Sequence, residues 1–383
     1  MADAVVPAAS TPAKAAKPSG GRSTARKVGL IGAIVGVAAA GIAAGVAAER
    51  AWVRRSRAGV EDPYADEPFG RLPFDESLTV TTADGVDLYV EIVEPADGVT
   101  LDFNDADPEP TVIFVHGFCL DMGTFHFQRR LLDGGEYRMV LYDQPGHGKS
   151  GRLSDGEYDL PALGEALRDV IRETTTPDSD IVLVGHSMGG MAIMACAERY
   201  PEIFANRVVG VALISTSGGR VQGVKLGGLP ELISRTSAPL LPVLSGASRM
   251  SGPMIDKARQ ASSDLAWLLT RRYGFGGKQP SPALVSYVER MNSGTTTETV
   301  ARYLRTLSSH ARYPALAAIA DKPVLVIVGD KDPILPLKHS EEIVRHLPQA
   351  EMVVVPDSGH VVLLEHADAV NEALLAFLAK VMP

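Results

Sequence analysis

Residues 181–190 read IVLVGHSMGG, and Ser187 stands between Gly185 and Gly189. A serine hydroxyl becomes a nucleophile only beside a base, in a geometry that exposes it. The context supplies that geometry. Four branched apolar residues predict a buried strand running into the serine, and MAIMACAERY (191–200) predicts a helix after it. In so tight a strand-turn-helix, side chains two positions either side of the serine collide, and glycine removes the clash. The hydroxyl then stands above a sheet, at a helix start that favours negative charge. A serine that merely caps the helix is the plainer alternative.

The base must come from nine histidines. His360 follows the last apolar run in DSGH, in a loop able to reach the serine. His186 is next to the serine, so its side chain points elsewhere. His116, in His-Gly at a strand end, reads as structural, with Gly117 beside it, and His147 as a brace in PGHGKS. His126, His310, His339, His346 and His366 read as surface or helix residues. For the acid, GDKDP offers Asp330 and Asp332. Asp332 lies further along, where a turn swings its carboxylate toward the base, whereas Asp330 holds the turn. Ser187, Asp332, His360 is then a nucleophile-acid-base set. Two N–H donors must meet the oxyanion: Met188, directly after the serine, and Phe118 in His-Gly-Phe, whose ring is free to pack.

These residues require a sheet whose strand ends converge. ESLTVTTADGVDLYVEIVEP (76–95) alternates around Asp84-Gly85 and predicts a hairpin. TVIFVHGF (111–118), YRMVLYDQPGHGKSG (137–151), IVLVGHS (181–187), VVGVALIST (208–216), KPVLVIVGDKD (322–332) and AEMVVVPDSGH (350–360) are apolar on both faces, as central parallel strands must be. Helical patterns at 160–173, 191–200 and 339–347 lie between them. The expectation is a doubly wound, mostly parallel α/β sheet with its functional groups beyond the strand carboxyl ends. About a hundred residues, 218–317, interrupt the alternation with helical stretches at 264–273 and 283–291 and are read as an inserted helical cap. The core is then 76–217 and 318–383. Trp267, Phe275, Met250, Met254 and Met291 are candidates for an acyl pocket, though a cap needs a core of its own.

The first 75 residues look different. Residues 1–27 are rich in Ala, Pro, Ser and Lys without apolar period and read as a disordered basic tail. Residues 28–48 carry no charge; as a helix they would span about 31 Å, enough for a transmembrane anchor. A cleaved signal segment, which would make the protein secreted, is the alternative. Two GxxxG spacings, Gly32/Gly36 and Gly41/Gly45, permit helix pairing. Basic residues flank the span on both sides, so orientation is open. Residues 49–75 read as a linker.

Residues 1–60 hold nine basic side chains against two acidic ones. The whole chain carries −9, which leaves −16 on the body. So acidic a body excludes nucleic acid as a partner. Cys119 and Cys196 lack metal spacing, do not make a disulfide framework and read as small buried hydrophobes.

Taken together, HGF (116–118), DQPGHGKS (143–150), GHSMGG (185–190), GDKD (329–332) and SGH (358–360) resemble the α/β-hydrolase superfamily over residues 76–383. The resemblance implies the capped esterase, lipase and perhydrolase-like branch, with Ser187 as nucleophile, Asp332 as acid and His360 as base. The Asp-nucleophile branches, haloalkane dehalogenases and epoxide hydrolases, are disfavoured by the serine. The expected reaction is hydrolysis of a small or lipid-like carboxylic ester through an acyl-enzyme, without metal or organic cofactor. A thioesterase, lactonase, perhydrolase or C–C hydrolase could use the same triad, and a non-catalytic ligand-binding protein could keep the fold.

Overall fold

The computed structural model describes residues 62–96, 110–153, 158–219 and 266–382. The tail, the 28–48 span, Met250 and Met254 lie outside them. Among the described residues no helix is long and apolar enough to cross a membrane.

Eight strands form one sheet among the described residues: β1 (Glu76–Thr81), β2 (Asp87–Val93), β3 (Thr111–Val115), β4 (Arg138–Tyr142), β5 (Ile181–His186), β6 (Val208–Ile214), β7 (Val324–Gly329) and β8 (Glu351–Val355). Their order is β1-β2-β4-β3-β5-β6-β7-β8. The β1–β2 hairpin turns at Asp84-Gly85, β2 pairs antiparallel with β4, and every later pairing is parallel. The central strands are buried on both faces because each supplies two layers. Val112 and Phe114 of β3 join one apolar cluster, and Ile113 and Val115 join the other. Each fully buried residue of this kind contributes roughly 1.5–3 kcal/mol.

On one face lie α2 (Leu160–Thr174) and α3 (Met188–Arg199), with α4 (Pro201–Asn206) following directly. On the other lie α1 (His126–Leu132) and, near the chain end, α9 (Ala367–Val381), through Leu132, Leu374 and Phe377. Among the described residues there are also α5 (Pro282–Gly294) and α6 (Thr297–Ser309) in the cap region, α7 (Lys338–His346) after β7, and the short α8 (Val362–Glu365) before α9.

The cap region is helical where described: 266–274, then α5 and α6. Trp267 donates from Nε1 to Ser286 Oγ at 3.0 Å, tying the 266–274 segment to α5.

The structure corrects three sequence expectations. Residues 62–75, read as part of a linker, lie along the body. Phe69 stacks on Tyr287 at 4.4 Å, and Arg129 donates to the carbonyls of Leu72 and Pro73. The Asp62 carboxylate accepts from Ser281 Oγ and Ala283 N at the start of α5. Burying these aromatic rings outweighs the linker-like proline content. His310 is not a surface or helix residue: it is buried past the end of α6 and donates from Nε2 to Ser217 O at 2.7 Å. Cys196 is buried as expected, but Cys119 is only partly so, in a turn that gives it a φ of 59°.

Candidate active site

Four strand ends supply the site. β5 delivers Ser187 into a turn with φ 53° and ψ −116°, a strained conformation for a residue with a side chain. Neighbours on both sides fix it: Ser187 N donates to Ile214 O at 2.9 Å, and Thr216 Oγ1 donates to Ser187 O at 2.6 Å. The flanking glycines are needed for a reason different from the expected one. A Cβ on Gly185 would lie 2.7 Å from Gly190 N, and a Cβ on Gly189 would strike the Val115 carbonyl. Helix α3 thus sits so close to β3 and β5 that backbone meets backbone, and the two glycines do not relieve each other.

Asp332 and His360 follow β7 and β8. His360 Nε2 lies 2.9 Å from Ser187 Oγ, and its Nδ1 lies 2.8 Å from Asp332 Oδ2. The second Asp332 oxygen accepts from Ile334 N and Leu335 N at 2.8 and 2.9 Å. An ionised carboxylate only accepts, so it fixes the imidazole proton on Nδ1 and leaves the Nε2 lone pair facing the serine. All three side chains are buried. Asp330 holds the turn: its N donates to Val355 O, and its carboxylate accepts from Ser358 N.

The β3 loop closes the other side. A Cβ built on Gly117 would lie 3.1 Å from that of Ser187, so the backbone leading to Phe118 passes directly over the serine. The Phe118 ring packs edge-on to Tyr303. His116 and His147 are structural. His116 Nε2 accepts from Gln144 N at 2.8 Å, the Gln144 side chain donates to the His116 carbonyl, and His147 Nδ1 donates to Pro145 O. Burial lowers both imidazoles, His147 to about 4, so they stay neutral braces.

Two features escaped the sequence reading. His186 does point away from the serine, but toward the base loop: its Nε2 donates to the His360 carbonyl at 2.9 Å. Burial, with His360 nearby, lowers it to about 3. The second is a clasp between cap and base loop. Glu365 accepts from Gly276 N, Gly277 N and Gly359 N at 2.7–3.1 Å, and Val361 N donates to Gly274 O. A Cβ on Gly276 would strike the Ser358 backbone. The run GFGG (274–277) was the available signal, since repeated glycine marks close backbone approach.

Ser187 and His360 open into a cavity of about 370 Å³. Its wall is mainly apolar: Phe118, Leu120, Met191, Leu269, Val288 and Leu335. Trp267 and Phe275, candidates for this wall, are buried but do not line it, and Met291 faces a separate, more polar cavity beside Asp121 and Arg290. No cluster of three or more metal-binding side chains occurs among the described residues.

Residues 110–367 match the alpha/beta hydrolase fold family, and the chain belongs to that family as one of its enzymes. It is 29% identical over 276 residues to the dihydrolipoyllysine-residue acetyltransferase component of the acetoin cleaving system of Pseudomonas putida; this covers 70% of the chain and only 63% of that relative. It is 26% identical to a 2-hydroxy-6-oxononadienedioate/2-hydroxy-6-oxononatrienedioate hydrolase of a Pseudomonas species, covering 79% of the chain and all of that protein. A thermophilic esterase from Thermogutta terrifontis superposes with a TM-score of 0.57 at 23% identity, covering 81% of the chain and all of the esterase.

Proposed function

We propose that the protein hydrolyses neutral carboxylic esters through an acyl-enzyme on Ser187. The observation that carries this is the continuous line from Asp332 Oδ2 through His360 to Ser187 Oγ, with both links under 3 Å. In the first half-reaction His360 Nε2 takes the serine proton while Oγ attacks the ester carbonyl. The Phe118 and Met188 N–H groups meet the oxyanion, and neither is committed to a partner among the described residues. Collapse expels the alcohol, which leaves with the proton from His360. Water, deprotonated by the same nitrogen, then releases the acid and restores the serine.

Substrate charge follows from the wall. A dioate brings carboxylates that need counter-charges, and the described lining has no lysine or arginine. That favours an uncharged ester over the C–C hydrolase alternative. Tethering to a membrane through residues 28–48 belongs to the same proposal and rests on that uncharged run alone.

The test is a fluorescent fluorophosphonate offered to the full chain and to Ser187→Ala. Labelling of the wild type alone is expected. A folded wild type that stays unlabelled sinks the reading that Ser187 is the nucleophile.

A further inference from the structure

Apart from Ser187, His360 and Tyr273, the side chains of the cavity wall are apolar except in one region. Thr270, from the helical segment 266–274, and Asn292, near the end of α5, both line it. Asn292 Nδ2 donates to Thr270 Oγ1 at 3.0 Å. A primary amide has two N–H donors and an acceptor oxygen, and a hydroxyl can donate as well as accept. That single bond leaves Asn292 Oδ1, its second N–H and the Thr270 hydroxyl hydrogen without a partner among the described residues. Thr270 is buried, and Asn292 is partly so. These groups therefore keep hydrogen-bonding capacity to spare where they line the cavity. A cavity meant only for hydrocarbon would be better lined by valine and leucine at these positions, as at Val288 and Leu269 beside them.

We infer that the Thr270–Asn292 pair is a subsite for a second oxygen on the substrate, so that the preferred substrate is an uncharged ester carrying a hydroxyl or keto group away from the scissile bond. This rests on the ester-hydrolase reading above. The pair suits such a group because it offers both donors and an acceptor. The hydroxyl and amide donate to a keto oxygen, and Asn292 Oδ1 accepts from a hydroxyl. It does not suit a carboxylate, because it brings no positive charge. Sites that hydrogen-bond a substrate oxygen discriminate against the analogue lacking it, since their own polar atoms are then stranded. The two residues sit on different cap helices, so the subsite exists only where the helices pack as they do here.

The experiment compares ethyl hexanoate with hydroxyl- and keto-substituted ethyl hexanoates, the oxygen moved stepwise along the acyl chain. The enzymes are the full-length wild type, Thr270→Val and Asn292→Leu. At one position of the oxygen, wild-type kcat/KM should exceed that for the plain ester by about tenfold, the worth of one good hydrogen bond. Thr270→Val changes shape little and removes only the hydroxyl. In both variants the oxygenated ester should lose rate and the plain ester gain it, bringing the ratio to about one. Equal rates at every position in the wild type would overturn the inference, as would variants that slow both esters by the same factor. A parallel titration by calorimetry uses full-length Ser187→Ala, with and without Thr270→Val. Ser187→Ala should bind the oxygenated ester about tenfold more tightly than the plain one, and Thr270→Val should abolish the difference. This readout needs no turnover, so failure of the subsite is distinguished from failure of Ser187 to react.

Discussion

The floor and the wall of the cavity are built differently. Each polar side chain on the floor follows a strand end and is fixed by hydrogen bonds: Ser187 to Ile214 of another strand, His360 to Asp332 and His186, Asp332 to its own turn. The wall comes from helices and from the loops after β3 and β7, and its side chains meet the cavity mostly through apolar contact. A polar floor fixed from several directions has one geometry, which a reaction requires. An apolar wall tolerates exchange at modest cost, which substrate choice exploits.

Asp332→Asn attacks the contrast most strongly. The amide oxygen can still accept from Ile334 and Leu335, but its NH₂ now faces His360 Nδ1 and forces the ring proton onto Nε2. The expected loss is about 10⁴ in kcat, with a near-native thermal midpoint. A loss under tenfold, read in an ester assay, would mean that the floor is not as tightly specified as the geometry implies.

Acid should loosen the floor. His116, His147 and His186 are held neutral by burial, with pKa values lowered from the ordinary 6.5. In the unfolded chain each binds a proton as pH drops below about 6.5, so stability is full above that pH and falls below it. By linkage, a histidine kept at about 3 or 4 costs about 2 kcal/mol between pH 7 and pH 5. Urea unfolding of His186→Gln and of the wild type at the two pH values measures this. The variant should lose about 2 kcal/mol less. Asp143, raised by burial to about 7, acts with the opposite sign, losing stability as pH climbs from its ordinary 3.8 to about 7, and it is common to both proteins.

The smallest effect belongs to the wall. Leu269→Ala enlarges the cavity and should move the best acyl length up by a carbon or two, changing kcat/KM by about tenfold or less. An ester panel of graded chain length reads it. A collapse of rate at every length would mean that the wall also positions the reacting groups.

The floor was legible in the sequence because its parts are local. An apolar run followed by a short polar turn marks a strand end, so Ser187, Asp332 and His360 could be named with the strands that deliver them. What could not be read depends on partners far along the chain. Arg129 holds residues 72 and 73, His310 answers Ser217, and Asp62 begins a helix some 220 residues away. The wall was misassigned for a related reason. Trp267 and Phe275 are the larger apolar residues and are buried away from the cavity, and periodicity alone does not say which helix face meets it.

The Glu365 clasp bears on how such proteins could be recombined. The cap is inserted between β6 and β7, yet one of its firmest attachments is to the segment after β8, through two cap N–H groups on the Glu365 carboxylate, which also accepts from Gly359 of that segment. A cap transplanted from another hydrolase by cutting only at its two chain junctions would arrive without its third point of fixation. The histidine loop would then stand next to an unfamiliar strap. A working chimaera has to import GFGG and an acidic residue at 365 as a matched set, even though nearly ninety residues separate them.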